Sequence, residues 1–129
     1  MSLCDEIINA ILRNVTVNIL LDGGPVGGIT LEEKYILNRI SNYGGNVRFI
    51  KSNSEENSYK RYSFNHGKYI VIDNSTAIIE SCNWANTGVP LNPTFGNREW
   101  GIIIKNSSIA EFYLNVFLED WDIKRCDIY

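Results

Sequence analysis

The residues whose types and spacing could do chemistry lie in His66-Gly67-Lys68-Tyr69-Ile70-Val71-Ile72-Asp73, which holds the chain's single histidine. In extended backbone, residues i and i+2 point to the same face. His66 and Lys68 can therefore reach one ligand together, as a nucleophile or proton carrier beside a fixed positive charge. A lone histidine at the start of a strand is commonly idle, so the weight rests on what surrounds it. Tyr69 to Ile72 reads as a strand, and Asp73-Asn74-Ser75-Thr76 as the turn that ends it. A second strand, Ala77 to Ser81, then brings Ser81 and Asn83 back to the end of the sheet where His66 and Lys68 stand.

This arrangement resembles the phospholipase D superfamily. The superfamily motif is His-x-Lys, four residues, Asp, then six residues to Gly-Ser and a nearby Asn. The spacing is kept in His66, Lys68 and Asp73, with Glu80 and Ser81 at the Gly-Ser positions and Asn83-Trp84 behind them. Asn97-Arg98-Glu99 resembles the Asn-x-Glu of the small endonuclease-like and cardiolipin-hydrolase-like members. Asp22 to Gly28, after an apolar strand, looks like the corresponding region of some members. The likeness spans about residues 3–122. One position departs from the motif, because Glu80 stands where the family has glycine. A carboxylate beside a phosphate site repels the substrate unless it points away. Strand alternation sets Glu80 and Ser81 on opposite faces, so Glu80 either sits outside the site or marks a weakened or specialised enzyme.

The resemblance implies that His66 attacks phosphorus and forms a covalent phosphohistidine, which splits one hard step into two. It implies that Lys68 offsets charge on the non-bridging oxygens. Asn83 can donate its amide, and Ser81 its hydroxyl, to the same oxygens. Glu99 is expected to accept the other ring N–H of His66 and set its tautomer. Asp73 either touches substrate or orders the hairpin through its backbone. A second histidine must protonate the leaving group and activate water, and this chain carries one copy of the motif. The working site is therefore expected to be composite, completed by a homodimer partner or by a second phospholipase D-like domain. The expected partner molecule is a phosphodiester, phospholipid or nucleic acid. The alternative is a non-catalytic module that keeps the fold and pairs with an active domain.

Bulk properties agree with an ordinary globular chain. The 129 residues are 44% hydrophobic and 21% charged, enough for a sizeable core in a single domain over 1–129. The formal net charge is -3, with a sequence pI near 5.1. That argues against non-specific nucleic-acid binding over the whole surface and leaves room for a local basic cleft. Lys51, Lys60, Arg61 and Lys68 are close in sequence to the motif, either as such a cleft or as a solvated loop. Cys4, Cys82 and Cys126 are far apart without CxxC spacing, and alternation makes Cys82 a buried free thiol. One histidine and no facing carboxylate cluster make neither a zinc site nor a two-metal site, so no metal or cofactor is expected. No run of 18 apolar residues exists to span a membrane and no signal peptide is visible. The abrupt start suggests a segment of a longer protein, so localisation is not readable.

The elements that must position the site follow from periodicity. Leu3, Ile7, Ile8, Ile11 and Leu12 mark a helix over 3–13, and Val15 to Leu21 a buried strand. Thr30-Leu31-Glu32-Glu33 is a capping box, opening a helix with Leu31, Tyr35, Ile36 and Ile40 on its apolar face, closed by Asn42-Tyr43-Gly44-Gly45. Val47 to Ile50 is a strand. The polar stretch 51–65 reads as a substrate-facing lip or a surface loop, and Ala85 to Asn97 as a second long loop. Glu99 to Lys105 is the last strand. Ser108-Ile109-Ala110-Glu111 reads as a capping box for a helix through about Trp121, with Phe112, Val116 and Phe117 inward. The early βαβ order predicts an α/β domain, with a mixed, mostly parallel sheet flanked by helices.

Overall fold

The computed structural model describes residues 2–23, 29–50, 65–84, 88, 96–122 and, for the backbone, 126–128. The chain divides into two compact units, residues 1–65 with 120–129, and residues 66–119. Each is described by itself.

The first unit is built on a βαβ repeat. Helix α1 spans Leu3–Leu12 and begins in a capping box, with the Asp5 N–H donating to Ser2 Oγ and the Ser2 N–H to Asp5 Oδ2. Strand β1 is Asn18–Asp22, helix α2 is Leu31–Asn42 and strand β2 is Asn46–Ile50. The predicted Thr30/Glu33 box is formed, each partner satisfying an amide that the helix leaves open. Gly44, at φ +100°, turns the chain out of α2. The next residue must also be glycine, since a Cβ on Gly45 would lie 2.5 Å from Ile40 Cγ2. Strands β1 and β2 pair in parallel, Asn18 opposite Asn46 and Asp22 opposite Ile50. The core is Cys4, Ile8, Leu37, Ile40 and Val47, with Ile7, Ile11, Ile19, Leu21 and Phe49 against it. An Arg39–Asp5 ion pair at 3.0 Å ties the two helices together.

Two helix faces differ from expectation. On α1 the inward row includes Cys4, while Leu3 and Leu12 face water. On α2 it is Leu37 and Ile40, and Leu31, Tyr35 and Ile36 are exposed. Several apolar residues spread around a short helix fit more than one stripe, and only the neighbouring strand selects among them. A third strand, β3, was not anticipated for this sheet. Cys126–Ile128 pairs antiparallel with β2, Ile128 opposite Arg48. Three residues carry too short a pattern to register as a strand. Arg48 lies over the Trp121 ring, 4.3 Å from its centroid, and donates to the Trp121 carbonyl.

The second unit carries the hairpin. Strands β4 (Tyr69–Ile72), β5 (Thr76–Glu80) and β6 (Gly101–Lys105) form a sheet in that order, with both pairings antiparallel. The turn between β4 and β5 has Asp73 at φ 48° and Asn74 at φ 51°, closed by the Ser75 N–H donating to the Ile72 carbonyl at 3.0 Å. Two consecutive left-handed residues make this a type I′ turn, whose twist matches a hairpin. Helix α3, Ser107–Asp120, turns Ala110, Tyr113, Leu114 and Phe117 inward, and leaves Phe112 and Val116 exposed. Tyr113 packs on Tyr69 with ring centroids 5.1 Å apart, docking α3 on β4. The cap of α3 is Asn106, whose Oδ1 accepts the Ile109 N–H at 3.1 Å. It stands two residues ahead of the expected Ser108 box.

The mixed α/β class is as expected. Its pairings are less parallel than expected, because one of the four among the described residues is parallel and three are antiparallel. The hairpin and the short returning strand account for this, since tight turns join antiparallel neighbours.

Candidate active site

The site grows from three strand ends in the second unit. Lys68 lies just before β4, Ser81 just after β5, and Glu99 and Trp100 just before β6. Backbone bonds carry the ladder past the strands. The Glu80 N–H donates to the Lys68 carbonyl at 3.0 Å, and the Ser81 N–H to the Trp100 carbonyl at 2.9 Å. Lys68, Ser81 and Glu99 are thus gathered at one end of this sheet, where His66 enters and Asn83 leaves. Asp73 stands at the opposite end, in the turn. Five residues separate it from Lys68 along the strand, which at about 3.3 Å each is about 16 Å.

His66 is exposed, and its carbonyl accepts from Lys68 Nζ at 2.8 Å. The ammonium is folded onto the backbone of the histidine it accompanies, and its flexible stem lets it turn to a ligand. One step before the motif, the Asn65 N–H donates to Asp22 Oδ2 at 2.6 Å, fixing the chain as it enters.

Ser81 is bound on both sides of its hydroxyl. It donates to Glu99 Oε2 at 2.5 Å and accepts the Trp100 N–H at 3.0 Å. Its proton is therefore engaged by Glu99, and donation to a phosphate oxygen requires that proton to change partner. Among the described residues, this bond is the one that holds the Glu99 carboxylate. Glu99 was expected on the imidazole, and in this arrangement it orients Ser81 and has Oε1 left over.

Glu80 has a grip of its own. Oε1 accepts the Trp84 Nε1–H at 2.6 Å, and Oε2 accepts the Cys82 thiol at 2.9 Å. Its hydrogen bonds among the described residues go to these two partners, away from His66 and Lys68. Cys82 is buried and free, as expected, although it lies past the end of the strand. The bond to Glu80, then burial, then the Glu80 and Glu99 charges raise its thiol pKa, so it stays protonated. Asn83 is exposed between these two anchored neighbours. Gly88 closes against it so tightly that a Cβ there would lie 2.0 Å from the Asn83 carbonyl oxygen.

Trp100 was not singled out by spacing. It is 73% exposed, with the Arg98 guanidinium 5.7 Å from its ring centroid. With Ile79, Glu80, Ser81, Gly101 and Ile102 it lines an open depression of about 520 Å³. An exposed tryptophan next to Asn97-Arg98-Glu99 was the available signal. Lys51, Lys60, Arg61 and the loop 24–28 lie outside the described residues, as does most of 85–95. Among the described residues no three His, Cys, Asp or Glu side chains converge as a metal site. No helix among them is long and apolar enough to cross a membrane.

The end of the second unit's sheet thus holds Lys68, Ser81 and Glu99, where the chain of His66 enters and that of Asn83 leaves. The sequence matches the family described as "Cardiolipin synthase, PLD-like domain" over residues 1–121, and the chain belongs to that family, within the phospholipase D superfamily. The fold is similar to the crystal structure of Nuc from Salmonella typhimurium, a phospholipase D family member. The TM-score is 0.77 at 21% identity, over 98% of this chain and 72% of that one. No curated protein matches the sequence. Phosphodiester chemistry is the general activity of the superfamily.

Proposed function

We propose that this chain is a metal-independent phosphodiesterase that works through a phosphohistidine at His66, on a phospholipid or nucleic-acid phosphodiester. The observation that carries the reading is the convergence of Lys68, Ser81 and Glu99 on the strand ends beside His66, with Asn83 on the adjoining turn. An imidazole nitrogen of His66 attacks phosphorus as the bond to the leaving oxygen breaks. Lys68 and the Asn83 amide offset the charge that grows on the non-bridging oxygens. Glu99 holds Ser81 through Oε2, and Oε1 is left to orient the second ring nitrogen of His66. The leaving oxygen takes its proton from a second histidine. That histidine then deprotonates the water, or a second alcohol, that breaks the P–N bond. It comes from a second copy of this chain, or from a second phospholipase D-like domain. The small endonuclease-like and cardiolipin-hydrolase-like branch is the nearest in motif.

Glu80 at the motif's glycine position favours a second reading, a non-catalytic module that pairs with an active domain. Hydrolysis of bis(p-nitrophenyl) phosphate separates the two. Wild-type turnover is expected. His66→Asn abolishes it, since an amide cannot form the covalent intermediate. Lys68→Met lowers it by about 10²–10³, the usual weight of one electrostatic donor. A silent wild type favours the module, and a His66→Asn protein at wild-type rate refutes the nucleophile.

A further inference from the structure

Glu80 is half-buried and spends both carboxylate oxygens on residues that flank Asn83. One oxygen holds the thiol of the residue before it, and the other holds the indole N–H of the residue after it. The described segment leaving the strand, Ser81 to Trp84, is neither helix nor strand, and Asn83 itself is exposed. Both neighbours of Asn83 are nevertheless tied to the single carboxylate of Glu80, a residue held in the sheet by its backbone N–H, which donates to the Lys68 carbonyl. The third constraint is Gly88, whose backbone sits against that of Asn83 with no room for a side chain. The Asn83 backbone is therefore held through both of its neighbours and by Gly88, while its side chain is exposed.

We propose that Glu80 is a positioning residue, bridging the Cys82 thiol and the Trp84 indole so that the turn presents the Asn83 amide to a phosphoryl group. This rests on the phosphodiesterase reading for what Asn83 binds, while the bridge itself is independent of it. Charge repulsion from Glu80 is limited for the same reason, since its two oxygens are each occupied by a donor. Arranged this way, the carboxylate at the motif's glycine position supports the site.

The test is a double-mutant cycle on the full chain, read by bis(p-nitrophenyl) phosphate hydrolysis and by the NMR signals of the Trp84 indole N–H and the Asn83 side-chain amide. Glu80→Ala is expected to lower kcat/KM by about 10- to 100-fold, the effect of a misplaced group. Glu80→Gln keeps a carbonyl oxygen for the Trp84 indole and should retain most of the rate. In an Asn83→Ala background, Glu80→Ala should change the rate less than threefold, because Glu80 acts through Asn83. Glu80→Ala should also shift the Trp84 and Asn83 signals, with Trp84→Phe moving Asn83 alike should Glu80→Ala fold poorly. Full additivity of the two alanine changes, or an Asn83 amide unmoved by both Glu80→Ala and Trp84→Phe, overturns the proposal. A wild type inactive on the diester overturns the phosphodiesterase reading instead. The positioning claim is then decided by the Asn83 signals, upheld if they shift and overturned if they do not.

Discussion

Changing Asp73 asks whether the motif aspartate touches substrate or builds the hairpin. It sits at φ 48° beside Asn74 at φ 51°, exposed, in a turn closed by a 3.0 Å backbone hydrogen bond. Left-handed backbone costs an ordinary L-residue about 1–2 kcal/mol, which Asn and Asp partly escape through local hydrogen bonding. Asp73→Ala should therefore destabilise the fold by about 1 kcal/mol. For a domain of this size that is a fall in Tm of about 3–5 °C. Asp73→Asn tolerates the same φ and should leave Tm nearly unchanged. Lys68 is five residues away along β4, about 16 Å, too far for one phosphate to meet both within a chain. Turnover per folded molecule should accordingly stay near wild type in both variants. Thermal melts followed by circular dichroism, with hydrolysis rates taken well below Tm, measure the two effects separately. A hundredfold loss of rate in Asp73→Asn at unchanged Tm would refute the reasoning and return Asp73 to the chemistry.

The other predictions concern assembly, metal and acid. If the site is completed by a second copy of the chain, the interface uses the same patch twice, and mixing His66→Asn chains with wild type should poison the wild-type rate. A strictly monomeric protein with full activity in sedimentation-linked assays would exclude that arrangement. Saturating EDTA should leave hydrolysis unchanged, and loss restored by magnesium or zinc would require a different mechanism. Asp5 is held down to a pKa of about 2 from 3.8 by the Ser2 backbone and side-chain hydrogen bonds and by Arg39. A depressed carboxylate contributes stability that is present above its unfolded pKa and lost as pH falls through the folded one. Urea melts should thus show stability falling between about pH 4 and pH 2, with a shallower fall in Asp5→Asn.

Local chemistry by itself determined much of this protein. The Thr30/Glu33 box and the paired glycines after α2 concern hydrogen bonds within a few residues, so Thr30, Glu33 and Gly44 were legible directly, whereas the Ser108 box expected by the same rule gave way to Asn106. The Asp73-Asn74 turn was legible for the same reason, and with it the return of Ser81 and Asn83 to the Lys68 end. Family spacing added Glu99, which nothing local marks. Tertiary structure decided the rest. The inward faces of α2 and α3 were settled by the strands beneath them, because Leu31 and Phe112 are as apolar as the Leu37 and Phe117 that turn inward. Strand β3 exists because β2 offers it an edge, and three residues have no periodicity to announce that. Glu80 shows the difference most clearly. Alternation set it on the face opposite Ser81, yet the two line one depression, and its two hydrogen-bond partners follow the end of the strand, where the period of two no longer applies. Only the folded turn decides that its carboxylate meets a thiol and an indole, and that Ser81 meets Glu99.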